Sequence, residues 1–234
     1  TALFDLSTIM LIKPDYHEDT RLLTSVSAAQ AGWQLLNMAV RQMRRGDVWS
    51  GHTEGFEYLH VILAGAGDFR TSRGDFPHVG SRSNVFAGPA HALYLPHDTS
   101  FELEVTSESF EVASCWVPTD QNHSARLISP ADTQIDPRGG GNASRQVNLI
   151  MPPGFDCQHL VCVEAYIPGG NWAGYPPHKH DRHLEDGNGN LVEADLEEIY
   201  FYRFDPPTGF ACQRVYTHDG THDAIYIAQH NDTV

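Results

Sequence analysis

The chain has 234 residues, 41% hydrophobic and 19% charged, so it can bury a substantial core and is not a disordered segment. Its formal charge of −15 at pH 7 argues against nucleic acid or an anionic membrane as a partner, because both require basic surface. The same charge repels an acidic small molecule at long range. A pocket for such a molecule would therefore need local arginine or lysine.

Turn-forming residues punctuate the chain roughly every eight to twelve positions. Between the turns lie short β-favouring runs, at residues 55–63, 83–86, 92–95, 101–105, 111–117, 160–167, 198–204, 211–217 and 224–228. Only residues 27–38 show partial helical character, and Gly32 is a poor helix centre. Many short strands at this spacing predict an all-β fold, an antiparallel sandwich or jelly roll.

Two such β units are predicted. Residues 129–142 are rich in Pro, Asp and Gly and end in three consecutive glycines, which is typical of a linker. This interpretation places one domain at residues 1–128 and another at 143–234. A weak repeat supports the division, because each unit has a strand, a glycine-containing turn and a proline-then-strand feature.

The cysteines indicate a reducing compartment. Cys115, Cys157, Cys162 and Cys212 form no CxxC pair and no zinc-finger spacing, so we expect free core thiols. No run approaches the ~20 apolar residues of a membrane helix, and residues 1–5 lack the order of a signal peptide. We therefore expect a cytoplasmic protein without membrane contact. The sequence leaves self-association into a homo-oligomer open.

A metal-binding pattern lies in the second half of the chain. His178 and His180 are two positions apart, so on a strand both side chains point the same way. Glu198 opens an aromatic run in which Glu198, Tyr200 and Tyr202 share a face. Two imidazoles and a carboxylate suit a divalent transition metal. An isolated His-x-His is more often a solvated turn, but Pro176-Pro177 before it and the glutamate-led strand after it favour the metal.

The same residues carry a family resemblance. Pro-Pro-His-Lys-His at 176–180 and Glu-Ile-Tyr-Phe-Tyr-Arg-Phe at 198–204 are specific motifs, and residues 85–96, 170–175 and 209–217 support them. At these positions the chain resembles the bicupins, and within them the 5-deoxy-glucuronate isomerase family of myo-inositol catabolism. The resemblance spans roughly residues 20–234.

The resemblance implies two cupin barrels, or double-stranded β-helix jelly rolls, with a metal in the C-terminal one. His178, His180 and Glu198 match three of the family's metal ligands. The fourth is a histidine that would lie beyond Val234, so we expect a C-terminal barrel truncated at that end. Zinc or manganese is expected first, although sites of this type also accept iron and nickel.

The N-terminal barrel is expected to be degenerate and metal-free. Its counterpart segment contains His52, Glu54 and Glu57 but no His-x-His pair. Phe101 stands where a cupin often places a histidine. A structural role for this barrel, packed on its partner, is the preferred interpretation.

The family's reaction is the isomerisation of 5-deoxy-D-glucuronate to 5-dehydro-2-deoxy-D-gluconate, which requires proton transfer between adjacent carbons. The sequence does not identify the base. The catalytic candidates are Tyr200, Tyr202 and Glu164, and the tyrosines could equally be core aromatics. The candidates for binding the substrate carboxylate are Lys179, Arg203 and Arg214, each of which could instead form a surface salt bridge.

Several alternatives stay open at this point. His183 is expected to be exposed, and His218, His222 or His230 could complete the metal site. A related enzyme is the 4-deoxy-5-hexosulose-uronate ketol-isomerase of pectin breakdown, although the sequence around the two motifs favours the inositol branch. A non-catalytic cupin that binds a sugar acid is the third candidate.

Overall fold

A computed structural model describes residues 10–234, and it is nearly all β. The chain groups into two compact units. Residues 16–25 and 37–173 form the sandwich unit, and residues 10–15, 26–36 and 174–234 form the hairpin unit. Residues 143–173, which the sequence assigns to the C-terminal domain, group with the sandwich unit. The division into two barrels at residues 129–142 therefore stays a prediction.

Two antiparallel sheets build the sandwich unit. One has six strands in the order β1 (Leu22–Val26), β2 (Asn37–Arg44), β9 (Ser109–Pro118), β4 (Phe56–Ala64), β7 (Ala92–Leu95) and β10 (Arg126–Ile128). The other has four strands in the order β3 (Val48–His52), β8 (Ser100–Val105), β5 (Gly67–Thr71) and β6 (Gly74–Val79).

Alternation along these strands creates the core between the two sheets. On β8, Phe101, Leu103 and Val105 are buried while the residues between them are not. They pack against Ile62 and Phe110 of the six-stranded sheet. Burying each such side chain contributes about 2 kcal/mol. The sandwich is therefore the hydrophobic core that the composition predicts.

A third sheet of the sandwich unit contains β11 (Gln134–Arg138), β12 (Arg145–Met151) and β13 (Cys162–Tyr166). A single 3-10 turn at Gly141–Ala143 joins its first two strands. The predicted linker thus contains a paired strand, since β11 lies antiparallel to β12 along its whole length. The glycine and proline content of residues 129–142 did not indicate that residues 134–138 pair with a neighbouring strand.

Two carboxylates, one buried and one half-buried, fix two loops of the sandwich unit. Glu57 is fully buried and accepts hydrogen bonds from the backbone N–H groups of Gln158, His159 and Leu160 at 2.8–3.1 Å. It also accepts a bond from the Tyr94 hydroxyl at 3.0 Å. Four donors to one carboxylate compensate the cost of burying its charge.

The second carboxylate belongs to Glu164 on β13 and is half-buried. Its two oxygens accept hydrogen bonds from both terminal nitrogens of Arg82, at 3.0 and 2.5 Å. Arg82 is 5% exposed, so the pair is largely desolvated. Arg82 also donates to the carbonyl oxygens of Ile62 and Gly88, and this network ties the loop 80–90 to the third sheet.

The hairpin unit contains a short helix, α1 (Ala28–Ala31), and two hairpins. Ser27 and Gln30 form a capping box at the start of α1, and Gly32 ends it with φ = +72°. The hairpins are β14 (Leu184–Glu185) with β15 (Leu191–Glu193), and β16 (Phe210–Tyr216) with β17 (Asp223–Gln229). None of the helices between residues 10 and 234 has the length and hydropathy needed to cross a membrane.

Two predicted strands need correction, and one prediction of a partial helix is confirmed. Residues 83–86 form a turn rather than a strand, because Asn84 caps the backbone N–H of Phe86. The partial helix predicted within residues 27–38 is confirmed, since α1 covers four of those positions. Residues 198–204 are extended but lie outside any regular sheet, pairing instead with residues 231–234 through a bridge between Phe201 and Thr233.

The contribution of the buried Glu57 carboxylate to stability can be tested by mutation. Replacing it by Gln places an amide N–H₂ group against backbone N–H donors, so Glu57→Gln is expected to lower the free energy of unfolding by about 3 kcal/mol. The matched control is Glu54→Gln at an exposed position three residues earlier, with an expected change below ~0.5 kcal/mol. Urea titrations measure both. Equal stabilities for the two variants would contradict the role assigned to Glu57.

Candidate functional site

An extended segment of the hairpin unit, residues 196–204, carries one wall of the candidate site. The rings of Tyr200 and Tyr202 stack with centroids 6.4 Å apart, and those of Tyr202 and Phe204 are 6.0 Å apart. The Tyr200 hydroxyl donates to Oε2 of Glu198 at 3.3 Å. These side chains therefore lie on one side of the segment, as strand alternation requires.

The two histidines of the motif lie in irregular backbone rather than on a strand. Their rings are nevertheless adjacent, with centroids 5.1 Å apart at an interplanar angle of 80°. His180 Nδ1 lies 3.0 Å from the carbonyl oxygen of Ala194 and donates its proton to it. In the neutral ring this hydrogen bond puts the lone pair on Nε2, the arrangement found in metal-binding histidines.

His180 and Glu198 face each other. Nε2 of His180 lies 3.9 Å from Oε1 of Glu198, a separation that one ion bound to both atoms can span at ~2.0–2.2 Å from each. The donor set of imidazole and carboxylate suits a divalent transition metal. Within residues 10–234, no three His, Cys, Asp or Glu side chains converge closely enough to form a complete ion site. The structure thus brings together the pairs His178–His180 and His180–Glu198.

Glu197 anchors this wall, a role that the sequence did not reveal. Its carboxylate accepts hydrogen bonds from three consecutive backbone N–H groups, those of Gln34, Leu35 and Leu36, at 2.7–3.0 Å. Successive N–H groups at a bend form an anion-binding concavity. Alternation along the extended segment sends Glu197 to the side opposite Glu198, toward residues 34–36.

Backbone pairing fixes the same segment at its other edge. Tyr200 exchanges two hydrogen bonds with Val234 at 2.8 and 2.9 Å, and Tyr202 donates to Asp232 at 2.9 Å. Asp232 is almost fully buried and forms an ion pair with Lys13 at 2.6 Å. Residues 196–204 are therefore fixed by backbone pairing with residues 231–234 and by the hydrogen bonds from residues 34–36 to Glu197.

The tyrosines of the site are protonated over the physiological range. Burial raises the pKa of Tyr202 to about 12, and its hydroxyl donates to the side-chain oxygen of Gln213. The pKa of Tyr200 is raised as well, first by burial and then by the adjacent Glu198 carboxylate. Both phenols consequently act as hydrogen-bond donors rather than as tyrosinate bases.

The predicted cations of the site are engaged elsewhere in the hairpin unit. Lys179 forms ion pairs with Glu193 and Asp181, and Arg214 pairs with Asp223 at 2.7 Å. Arg203 lies over the ring of Phe201 at 5.0 Å. Since Phe201 faces away from Glu198, this contact places Arg203 on the side of the segment opposite the histidines.

The other histidines of the hairpin unit have separate partners. His183 is exposed, as predicted, and contacts Glu185 at 3.0 Å. His218 contacts Arg182 at 2.8 Å, and His230 accepts a hydrogen bond from the backbone of Phe204 at 3.1 Å. His222 lies 3.5 Å from the Tyr226 hydroxyl. None of these contacts joins a third histidine to His178 and His180.

Glu164, the third catalytic candidate, belongs to the sandwich unit. Its carboxylate is committed to Arg82 and to the Tyr166 hydroxyl, which lies 3.2 Å away. This pairing argues against the predicted proton-transfer role of Glu164. The N-terminal half offers three possible metal ligands. Glu57 is buried among its four hydrogen-bond donors, while His52 and Glu54 are exposed.

Comparison with known proteins identifies the relatives of this arrangement. The KduI/IolB family matches residues 10–234. The 5-deoxy-glucuronate isomerase of Geobacillus thermodenitrificans is 33% identical over 211 residues, covering 89% of this chain and 74% of that protein. An IolB-like protein from Salmonella typhimurium superposes with a TM-score of 0.89 at 31% identity, covering 96% of this chain and 83% of the other.

A more distant likeness bears on the fold alone. A point mutant of Bacillus subtilis oxalate decarboxylase has a TM-score of 0.55 at 11% identity, over 97% of this chain and 70% of that protein. Together the structural neighbours confirm the all-β, cupin-type fold predicted from the sequence.

The anchoring of Glu197 can be tested by hydrogen exchange. Glu197→Gln removes one acceptor from the three N–H groups of residues 34–36, so we expect deuterium uptake there to accelerate by roughly tenfold or more. Glu185→Gln is the control, because that carboxylate is exposed and contacts only His183 in the described chain. Unchanged protection of residues 34–36 in Glu197→Gln would show that the carboxylate does not hold them.

Proposed function

Because the chain belongs to the KduI/IolB family, we propose that it is a metal-dependent aldose–ketose isomerase that converts 5-deoxy-D-glucuronate to 5-dehydro-2-deoxy-D-gluconate in myo-inositol catabolism. Curated relatives at 30–36% identity are named 5-deoxy-glucuronate isomerase. The observation that supports the chemistry most directly is the opposition of His180 Nε2 and Glu198, 3.9 Å apart.

His178, His180 and Glu198 are the residues we propose to hold the metal. His180 is fixed in the required tautomer by Ala194, and Glu198 is oriented by the Tyr200 hydroxyl. A divalent cation in this position supplies Lewis acidity, which stabilises negative charge developing on the substrate oxygens. Zinc and manganese are the first candidates for that ion.

The reaction moves hydrogen without net gain or loss. A base removes the proton from C2 of the aldose, a proton returns to C1, and the hydroxyl proton of C2 passes to the oxygen of C1. The aldehyde becomes a CH₂OH group and C2 becomes the ketone. Negative charge builds on both oxygens in between, so hydrogen-bond donors near them lower the barrier.

Tyr200 and Tyr202 are the donors that we assign to this task, which requires their hydroxyl protons to turn from Glu198 and Gln213 to the bound substrate. Their raised pKa values keep the phenols protonated at neutral pH. Tyr200 contacts the proposed ligand Glu198 directly, and Tyr202 stacks on Tyr200. The proton-transfer base itself is a separate group for which the described residues offer no assigned candidate.

The remaining features of the proposal concern substrate and setting. The substrate is a small sugar acid, and its carboxylate needs a local cation against the chain's charge of −15. Lys179, Arg203 and Arg214 remain the predicted binders, although two of them now require a rearranged ion pair. The four cysteines are free thiols, which fits the cytoplasm that we propose as the compartment.

Metal content tests the ligand assignment. His178→Ala, His180→Ala and Glu198→Gln are each expected to lose bound metal and to reduce turnover by at least about a hundredfold, because ligand loss weakens a three-residue set severely. His183→Ala is the matched control: its imidazole lies in the same stretch but contacts Glu185, so metal and activity should persist. Elemental analysis supplies the measurement. Full metal occupancy in His178→Ala and His180→Ala would contradict the assignment.

Turnover tests the reaction itself. Metal-loaded protein incubated with 5-deoxy-D-glucuronate in D₂O should yield the ketose, observed by NMR as a new CH₂OH group and a carbonyl carbon. Deuterium at C1 of the product would identify a base that exchanges with solvent. If metal-loaded, folded protein forms no ketose, the isomerase assignment fails and a sugar-acid-binding role takes its place.

A further inference from the structure

Gln213 on β16 contacts the wall formed by residues 196–204. The half-buried side of the β16–β17 hairpin carries apolar residues such as Ala211, Val215 and Ala228, and Gln213 interrupts this pattern with an amide. Its Oε1 accepts a hydrogen bond from the Tyr202 hydroxyl. A polar side chain among apolar ones needs an interaction that compensates its burial, and breaks in such a pattern are typical of functional sites.

The Gln213 amide has used only one of its two ends. Within the described chain Nε2 has no hydrogen-bond partner, and it is accessible to solvent because the side chain is only half-buried. An amide N–H₂ group carries two donors and no acceptor. The contact with Tyr202 fixes the carbonyl end, so the two free donors have a defined position beside the aromatic stack.

The position of Gln213 along the wall matches the length of a sugar acid. Tyr200 contacts the proposed ligand Glu198, and Tyr202 is the next ring, with its centroid 6.4 Å from that of Tyr200. Five carbon–carbon bonds of ~1.5 Å each span ~6 Å in an extended chain. An open-chain, six-carbon acid with C1 and C2 beside Glu198 and Tyr200 therefore reaches Tyr202 and Gln213 with its C6 carboxylate.

The charged groups expected to bind that carboxylate are engaged or turned away. Lys179 and Arg214 form ion pairs with acidic side chains, and Arg203 lies on the side of the wall opposite the histidines. Two N–H donors suit a carboxylate, which only accepts, and hydrogen bonds to a charged acceptor are stronger than neutral ones. A neutral amide, unlike lysine or arginine, forms no ion pair with the 30 acidic residues of the chain.

We propose that Gln213 binds the carboxylate of the sugar acid through its free N–H₂ group, while its Oε1 holds the Tyr202 ring. This inference rests on the proposed isomerase function and deepens it, because it assigns the recognition of the acid end of the substrate. Rotation of the Tyr202 hydroxyl proton toward the substrate moves no heavy atom and leaves the amide in place. Gln213 acts in binding and not in proton transfer, so its loss should affect KM more than kcat.

An exchange of donor for acceptor tests this role. Gln213→Glu keeps the size of the side chain and the acceptor for Tyr202, but it replaces the N–H₂ group with a negatively charged oxygen. Metal-loaded wild-type protein should bind D-glucuronate at least about tenfold more tightly than D-glucuronamide. Gln213→Glu should reverse this preference, because the ligand amide then donates to the new carboxylate while D-glucuronate is repelled. Calorimetric titration measures the four affinities.

Gln229→Glu is the matched control, since it adds the same charge on the exposed side of the same hairpin. Its preference for D-glucuronate should equal that of the wild type. If Gln213→Glu does not fold, Gln213→Met removes the donors at similar length and should bind the two ligands with similar affinity. In turnover, Gln213→Glu should raise KM for 5-deoxy-D-glucuronate at least about tenfold and change kcat less than about threefold.

Wild-type preference retained in a folded Gln213 variant would overturn the proposal, and so would absence of D-glucuronate binding to wild-type protein at millimolar ligand. A role confined to holding Tyr202 predicts that retained preference, because Gln213→Glu keeps the acceptor of the Tyr202 hydroxyl. Turnover by the wild type together with an unchanged preference in Gln213→Glu contradicts the role of Gln213 alone. A reversed preference without wild-type turnover supports the carboxylate contact and contradicts the isomerase assignment alone.

Discussion

Alternation along residues 196–204 is the constraint on which the candidate site depends. Glu197 and Glu198 are neighbours in sequence, and an extended backbone sends them to opposite sides. One side chain accepts the three N–H groups of residues 34–36, and the other faces His180. A helical backbone here would not send anchor and ligand to opposite sides, because its side-chain period is 3.6 residues. The aromatic stack of Tyr200, Tyr202 and Phe204 follows the same two-residue period.

Carboxylates bonded to backbone amides recur in both units. Glu57 accepts hydrogen bonds from the three N–H groups of residues 158–160 in the sandwich unit. Glu197 accepts three from residues 34–36 in the hairpin unit. Each fixes an irregular segment that no sheet would hold. Charge-assisted hydrogen bonds of this type are stronger than neutral ones, so a single side chain can order several residues. In an acidic chain with few basic residues, the backbone N–H groups replace arginine and lysine as partners.

Much of the fold and part of the candidate site could be predicted from the sequence. The all-β class followed from turn spacing, and the shared face of Glu198, Tyr200 and Tyr202 followed from alternation. The tertiary contacts could not be predicted from the sequence. No local pattern shows that Glu197 bonds to residue 34 or that Arg82 forms an ion pair with Glu164. The strand at residues 134–138 was hidden by its proline, because edge strands tolerate a residue that cannot donate a hydrogen bond. His178 and His180 were expected on a strand and lie in irregular backbone, yet their rings are adjacent.

The location of the metal tests the central claim most directly. Crystals of the protein loaded with manganese or zinc, measured at the absorption edge of that metal, give the ion's position without assuming any ligand. The account predicts one anomalous peak at ~2.0–2.2 Å from Nε2 of His180 and from a carboxylate oxygen of Glu198, with His178 completing the set. A fully loaded crystal whose anomalous peak lies away from these three side chains would contradict it.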